Sequence, residues 1–117
     1  MNAIHIQSTV SEIEISPVET DMILWALRVI VEKIPLREFQ TIIGYYVEEV
    51  QSLIEKLHTI TENNQPIESQ NLSLNFDELI IINNALNQFD YRNPNKSVEK
   101  KLFQDVKQLI EQMENMT

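Results

Sequence analysis

The chain has 117 residues, of which 43% are hydrophobic and 23% charged, and its formal net charge at pH 7 is −9. These values predict one globular domain with a core of its own and exclude a disordered chain, which would have too few apolar residues to bury. The absence of cysteine excludes disulfides, thiolate nucleophiles and cysteine-bound zinc, and the excess of acids opposes binding to phosphates and anionic lipids.

The segment 1–12 is expected to be either mobile or a short strand, because its apolar and polar residues alternate only weakly. Ile6 has one parity in this alternation, whereas Ile13 and Ile15 have the other, which predicts a turn or bulge near Ser11. A basic region and a long apolar run are both missing at the start, so we expect no secretion signal and a cytoplasmic location.

Ser16 is placed to cap the first predicted helix, with Pro17 at its first position and Glu19 able to close a capping box. The helix is expected to run to Lys33, and apolar side chains occupy nearly every face of it. Such a helix has to be covered on all sides, by other helices or by a second copy of the chain, so we expect a homodimer. Trp25 is expected in the core or in the dimer interface.

The longest three-four spacing of apolar residues begins after Pro35 and extends to Ile60, which predicts a single second helix. Gly44 inside it marks either a close helix contact or a break. With a turn at Gly44 the segment resembles a helix-turn-helix DNA reader. However, Gln40 stands where that motif has a small residue, and residues 45–52, which would enter the groove, include two acids and no base.

The polar segment 61–71 is a predicted linker, and Leu72-Ser73-Leu74 is a predicted short strand. Asn75 is placed to cap a third helix, with Glu78 three residues further on. Ser97 is placed to cap a fourth helix, which carries a clear apolar stripe.

Two halves, 13–60 and 72–116, agree in part when one is shifted by 59 residues along the other, so that Glu19 falls on Glu78. This agreement indicates an internal duplication, although two unrelated amphipathic helices also match in part at some shift, and both interpretations stay open. The expected fold is mainly α, a single domain over 1–117 in which two helix hairpins form a bundle with a short two-stranded β ribbon. If the duplication is real, the two strands pair across a pseudo-twofold axis.

The sequence shows no arrangement that is typical of catalysis. Glu55 and His58 have the E-x-x-H spacing of di-iron bundles, but such sites need a second motif of this kind, and His5, the other histidine, lies outside one. A single glycine excludes the glycine-rich phosphate loops. We therefore expect no enzymatic activity, no cofactor and no bound metal.

This lack of catalytic chemistry and the evenly spread acidity favour a non-catalytic interaction or regulatory protein that neutralises a basic partner protein. Glu48 and Glu49 lie on the outward side of the second predicted helix, and Tyr45 and Tyr46 cannot both face the core, so the candidate partner-binding residues are Tyr45, Glu48 and Glu49. The alternatives are a degenerate helix-turn-helix regulator and a helical domain that binds a small molecule between its hairpins. Neither a nucleic acid nor a membrane is expected as a partner.

Overall fold

The computed structural model describes residues 1–63, 70–88 and 96–116. These residues form five helices and a three-stranded antiparallel sheet, which confirms the mainly helical fold. The elements in chain order are β1 (Asn2–Ile6), β2 (Val10–Ile15), α1 (Pro17–Lys33), α2 (Leu36–Ile43), α3 (Val47–Asn63), β3 (Gln70–Asn75), α4 (Phe76–Asn87) and α5 (Lys96–Asn115).

Two capping boxes fix the points at which strands end and helices begin. Ser16 Oγ accepts a hydrogen bond from the Glu19 amide at 3.2 Å, and Glu19 Oε1 accepts one from the Ser16 amide at 3.0 Å. Asn75 and Glu78 repeat this exchange at 2.7 and 2.9 Å. Each box satisfies two backbone donors of a first helical turn, as both sequence motifs predict.

The sheet has β2 at its centre, with β1 on one side and β3 on the other. In the β2–β3 ladder Ile13 lies opposite Leu72, and these are the two residues that the 59-residue shift superposes. Each strand then enters its capped helix at an equivalent residue, Ser16 in one half and Asn75 in the other. The strands are therefore related by an approximate twofold axis at the Ile13–Leu72 pair, while the common ancestry of the halves stays a prediction.

The expectation of a two-stranded ribbon with a turn near Ser11 is wrong in two respects. A third strand, β1, pairs with β2, and the turn that joins them lies at residues 7–9, where the Gln7 amide donates to the Val10 carbonyl at 2.9 Å. Ser11 is inside β2 and fully buried. Ile6 and the pair Ile13 and Ile15 differ in the parity of their positions because a turn separates them and because the register shifts between Ala3 and His5 in β1.

Helix α1 is the centre of the core because α3, α4 and α5 all pack against it. The chain itself thus covers most of this apolar helix, and only Trp25 and Val18 among its large apolar side chains remain substantially exposed, at 46% and 51%. Its buried side chains are Thr20, Met22, Ile23, Leu24, Ala26, Leu27 and Ile30. Within the described ranges no helix is long and apolar enough to cross a membrane.

The prediction of one continuous second helix is wrong, because Gly44 ends α2 and α3 begins three residues later. Gly44 has φ +87°, a left-handed conformation that glycine adopts without steric cost, and its amide donates to the Gln40 carbonyl at 2.8 Å. Asn84 Nδ2 donates to the Ile43 carbonyl at 2.8 Å and so satisfies a group that the break leaves unpaired. The first half consequently has three helices, not a single hairpin.

Two other predicted boundaries also move. Residues 61–63 belong to α3 and residues 70–71 to β3, so only the middle of the predicted linker 61–71 lies outside both elements, and that part is outside the described residues. Helix α5 begins at Lys96, so Ser97 is already inside the helix and not at its N-cap position.

Replacing Gly44 tests the conformational origin of the helix break. A Cβ at this position would meet no atom within 4 Å, so Gly44→Ala adds backbone strain without a clash. We expect Gly44→Ala to lower the free energy of unfolding by about 1 kcal/mol, and Gly44→Asn to lower it by less, because asparagine tolerates the left-handed region better. Urea unfolding measures both values, and equal losses in the two variants would contradict this account.

Candidate partner-binding site

An acidic patch, formed by Tyr45, Glu48, Glu49 and Asp77, lies where the turn between α2 and α3 meets the first turn of α4. The turn after Gly44 places Tyr45 beside α4, and the Tyr45 hydroxyl donates to Asp77 Oδ1 at 2.9 Å. Glu48 and Glu49 are in the first turn of α3, and Asp77 is in the first turn of α4. The break of the predicted second helix is therefore what allows Tyr45 to contact Asp77 while Glu48 and Glu49 begin the next helix.

Tyr45 is half-buried, and its surroundings hold it in the neutral form. Burial of the ring raises the pKa of its hydroxyl to about 12, and the hydrogen bond to Asp77 and the charges of Asp77 and Glu49 contribute to the same rise. Both carboxylates thus act on this one hydroxyl. Tyr46, with 58% of its surface exposed, is the more exposed of these two tyrosines.

Glu48 and Glu49 are exposed, and Glu49 has a structural role in addition. Its Oε2 accepts a hydrogen bond from the Tyr46 amide at 2.9 Å, in the manner of a capping box at the start of α3. Carboxylates are stabilised near helix N-termini, where the helix dipole is positive, so two helix starts offset part of the repulsion among the three acids.

No basic side chain neutralises the acidic patch within the described part of the chain. No lysine or arginine nitrogen there lies within 4.0 Å of the carboxylates of Glu48, Glu49 or Asp77. The nearby Lys56 of α3 is engaged elsewhere, since its Nζ donates to Glu78 Oε1 at 2.9 Å and to the Ser73 carbonyl at 2.6 Å. Among the described residues, the charge of the patch therefore has no basic side chain paired with it.

The remaining candidate residues do not assemble into a site. Glu55 and His58 are both exposed on α3, and across the described residues no three His, Asp or Glu side chains come close enough together to hold a metal ion. A cleft of roughly 510 Å³ opens beside the acidic patch, between the β1–β2 turn, the start of α4 and the end of α5. Its lining residues are Ser8, Thr9, Asn75, Phe76, Asp77, Met113 and Glu114.

The Tyr45 hydrogen bond predicts a pH-dependent stability difference. Tyr45→Phe should lower the free energy of unfolding by about 1 kcal/mol at neutral pH, because the bond to Asp77 is lost. The folded chain holds the Tyr45 proton more tightly than the unfolded chain, in which the pKa is near its ordinary value of 10.0. The excess in the free energy of unfolding of the wild type over Tyr45→Phe should be complete below pH 10. It should disappear as the pH rises through about 12.

Urea unfolding of the wild type and Tyr45→Phe at a series of pH values measures this difference. Tyr46→Phe is the matched control, because the exposed Tyr46 ring lacks this hydrogen bond to Asp77. If the free energies of unfolding of wild type and Tyr45→Phe differ by the same amount across the alkaline range, the assigned role of Tyr45 is contradicted.

No protein-family model, curated protein or solved structure matches this chain. Its function has to be inferred from the side chains themselves, and the acidic patch is the best-defined group of them.

Proposed function

We propose that this protein is a non-catalytic interaction protein whose acidic patch binds a basic surface of another protein and neutralises it. The observation that carries the proposal is the Tyr45–Asp77 hydrogen bond, which joins the turn before α3 to the start of α4. It holds Asp77 against Tyr45, whose hydroxyl also feels the charge of Glu49, and no lysine or arginine nitrogen of the described residues lies within 4.0 Å of Glu48, Glu49 or Asp77. The net charge of −9 adds a field that attracts a basic partner from a distance.

The side chains of the acidic patch suit a contact of this kind. A single exposed ion pair contributes only about 0–1 kcal/mol, so binding by charge requires several carboxylates that act together and an additional anchor. Tyr46 offers that anchor, because its side chain is exposed and its amide bonds to Glu49 of the patch, and tyrosine is enriched among residues that dominate binding energy. Complementary charge mainly accelerates association and selects the partner.

The experiment is affinity capture from native lysate with a patch variant that preserves the fold. Glu48→Lys reverses a charge, whereas Glu49→Gln and Asp77→Asn remove charge and keep the oxygen that accepts from Tyr46 and Tyr45. We expect wild type to retain a basic protein at about 0.1 M salt and to release it at about 1 M, where the Debye length falls from about 10 Å to about 3 Å. The triple variant should retain at most a tenth as much.

A control variant separates local binding from general charge. Glu55→Lys with Glu14→Gln and Glu111→Gln changes the net charge by the same amount at exposed positions outside the patch. This control should capture the partner nearly as well as wild type. Equal losses in the two variants, or capture that salt does not reduce, would contradict binding at the acidic patch.

A helix-turn-helix regulator remains a second candidate because the left-handed Gly44 does produce two helices joined by a short turn. The charges oppose it, since the exposed side chains of α3 include Glu48 and Glu49 in its first turn and Glu55 at its middle. Binding to random duplex DNA at low salt tests this candidate directly. If the electrophoretic mobility of the duplex DNA does not change at millimolar salt and high protein concentration, this candidate is excluded.

A small-molecule binder is the third candidate, and the cleft beside Phe76 and Met113 is the observation in its favour. Its volume of roughly 510 Å³ falls in the range of ligand pockets. A ligand that binds the folded state raises the melting temperature, so a thermal-shift screen with metabolites and metal ions tests this candidate. A screen without any shift would remove its support.

A further inference from the structure

Helix α1 has an outer stripe that faces away from the core and consists of Val18, Asp21, Trp25, Arg28, Val29 and Glu32. Val18 is 51% exposed and Trp25 46%, Asp21 and Arg28 are exposed, and Val29 is half-buried. The opposite side of the same helix is packed by α3, α4 and α5. A large aromatic side chain thus stands at the middle of an accessible helix face, with an acid before it and a base after it along the helix.

The spacing of these residues is self-complementary for an antiparallel pair of helices. Asp21 precedes Trp25 by four residues, about 6 Å along the axis, and Arg28 follows it by three, about 4.5 Å. If two copies of α1 cross antiparallel with Trp25 at the centre, each Asp21 lies within about 1.5 Å, along the axis, of the position of the partner's Arg28.

The positions around the helix agree with this arrangement. At about 100° per residue, Asp21 and Arg28 lie on the same side of Trp25, about 40° and 60° from it. The exposed Glu32 lies on this side as well, about 20° from Trp25 and one turn after Arg28. Val18 and Val29 lie on the other side of Trp25, about 20° and 40° from it. A twofold axis perpendicular to the helices keeps each side in register, so one edge of the contact is ionic and the other is apolar.

We propose that α1 is a homodimerisation surface, on which a second copy of the chain packs its own α1 antiparallel, with Trp25 on the twofold axis. Two ion pairs, each between Asp21 and the partner's Arg28, flank the two indoles, and Val18 contacts the partner's Val29. Tryptophan and arginine are the side chains most often dominant at interfaces, and a charge pair on each side of a central aromatic fixes the orientation. This proposal does not depend on the acidic patch, which involves none of these residues.

Charge reversal tests the arrangement, with sedimentation of the whole protein as the measurement. We expect wild type to dimerise and both Asp21→Arg and Arg28→Asp to weaken dimerisation at least tenfold, because each variant places like charges opposite one another. An equimolar mixture of the two variants should associate again, because one ion pair then forms with its charges exchanged and the other keeps the native arrangement. Misfolding cannot produce this recovery on mixing.

Trp25 supplies a second readout, because it is the only tryptophan of the chain. Its emission should move to shorter wavelength as the protein concentration rises, and Trp25→Ala should remain monomeric with a native circular dichroism spectrum. Glu38→Arg, at an exposed position of α2, makes the same charge change as Asp21→Arg. This control should dimerise like wild type. A wild type that is monomeric up to about 1 mM, or single variants that dimerise as wild type does, would overturn the proposal.

Discussion

The antiparallel pairing of β2 with β3 is the constraint on which the rest of the structure depends. It joins residues almost sixty positions apart in sequence and sets Ile13 opposite Leu72, both of them buried. Because each strand runs directly into a capped helix, this register also fixes where α1 and α4 begin, and the two helices then pack against each other. A slip by one residue would turn the buried side chains of β3 to the solvent face.

The acidic patch follows from the same pairing. Helix α4 begins immediately after β3, so the register positions Asp77 where the Tyr45 hydroxyl can reach it. Two further contacts hold the α2–α3 segment in place, since Lys56 bonds to Glu78 and Ser73, and Asn84 bonds to the Ile43 carbonyl. The proposed binding surface is therefore built by contacts between the halves and not by one helix alone.

Local sequence signals predicted the parts of the fold that are determined locally. The capping residues Ser16 and Asn75 indicated the helix starts correctly, because an N-cap depends on a few adjacent residues. The second helix was predicted as continuous because the apolar stripe continues through Gly44, and what completes the break is Asn84, forty residues away along the chain. Asp77 was missed as a neighbour of Tyr45 for the same reason, since only the β2–β3 register brings it there.

The measurement that tests this account most directly is native-state hydrogen exchange, resolved by residue. If the β2–β3 pairing unites the halves, the slowest amides of β2, β3, α1 and α4 should exchange only through global unfolding, with the free energy that urea unfolding gives. Amides in α2 should exchange through local opening with a lower free energy, because that helix is short and has only two buried side chains. Exchange of β3 and α4 as a unit separate from β2 and α1, at a distinctly lower free energy, would contradict the central role of the pairing.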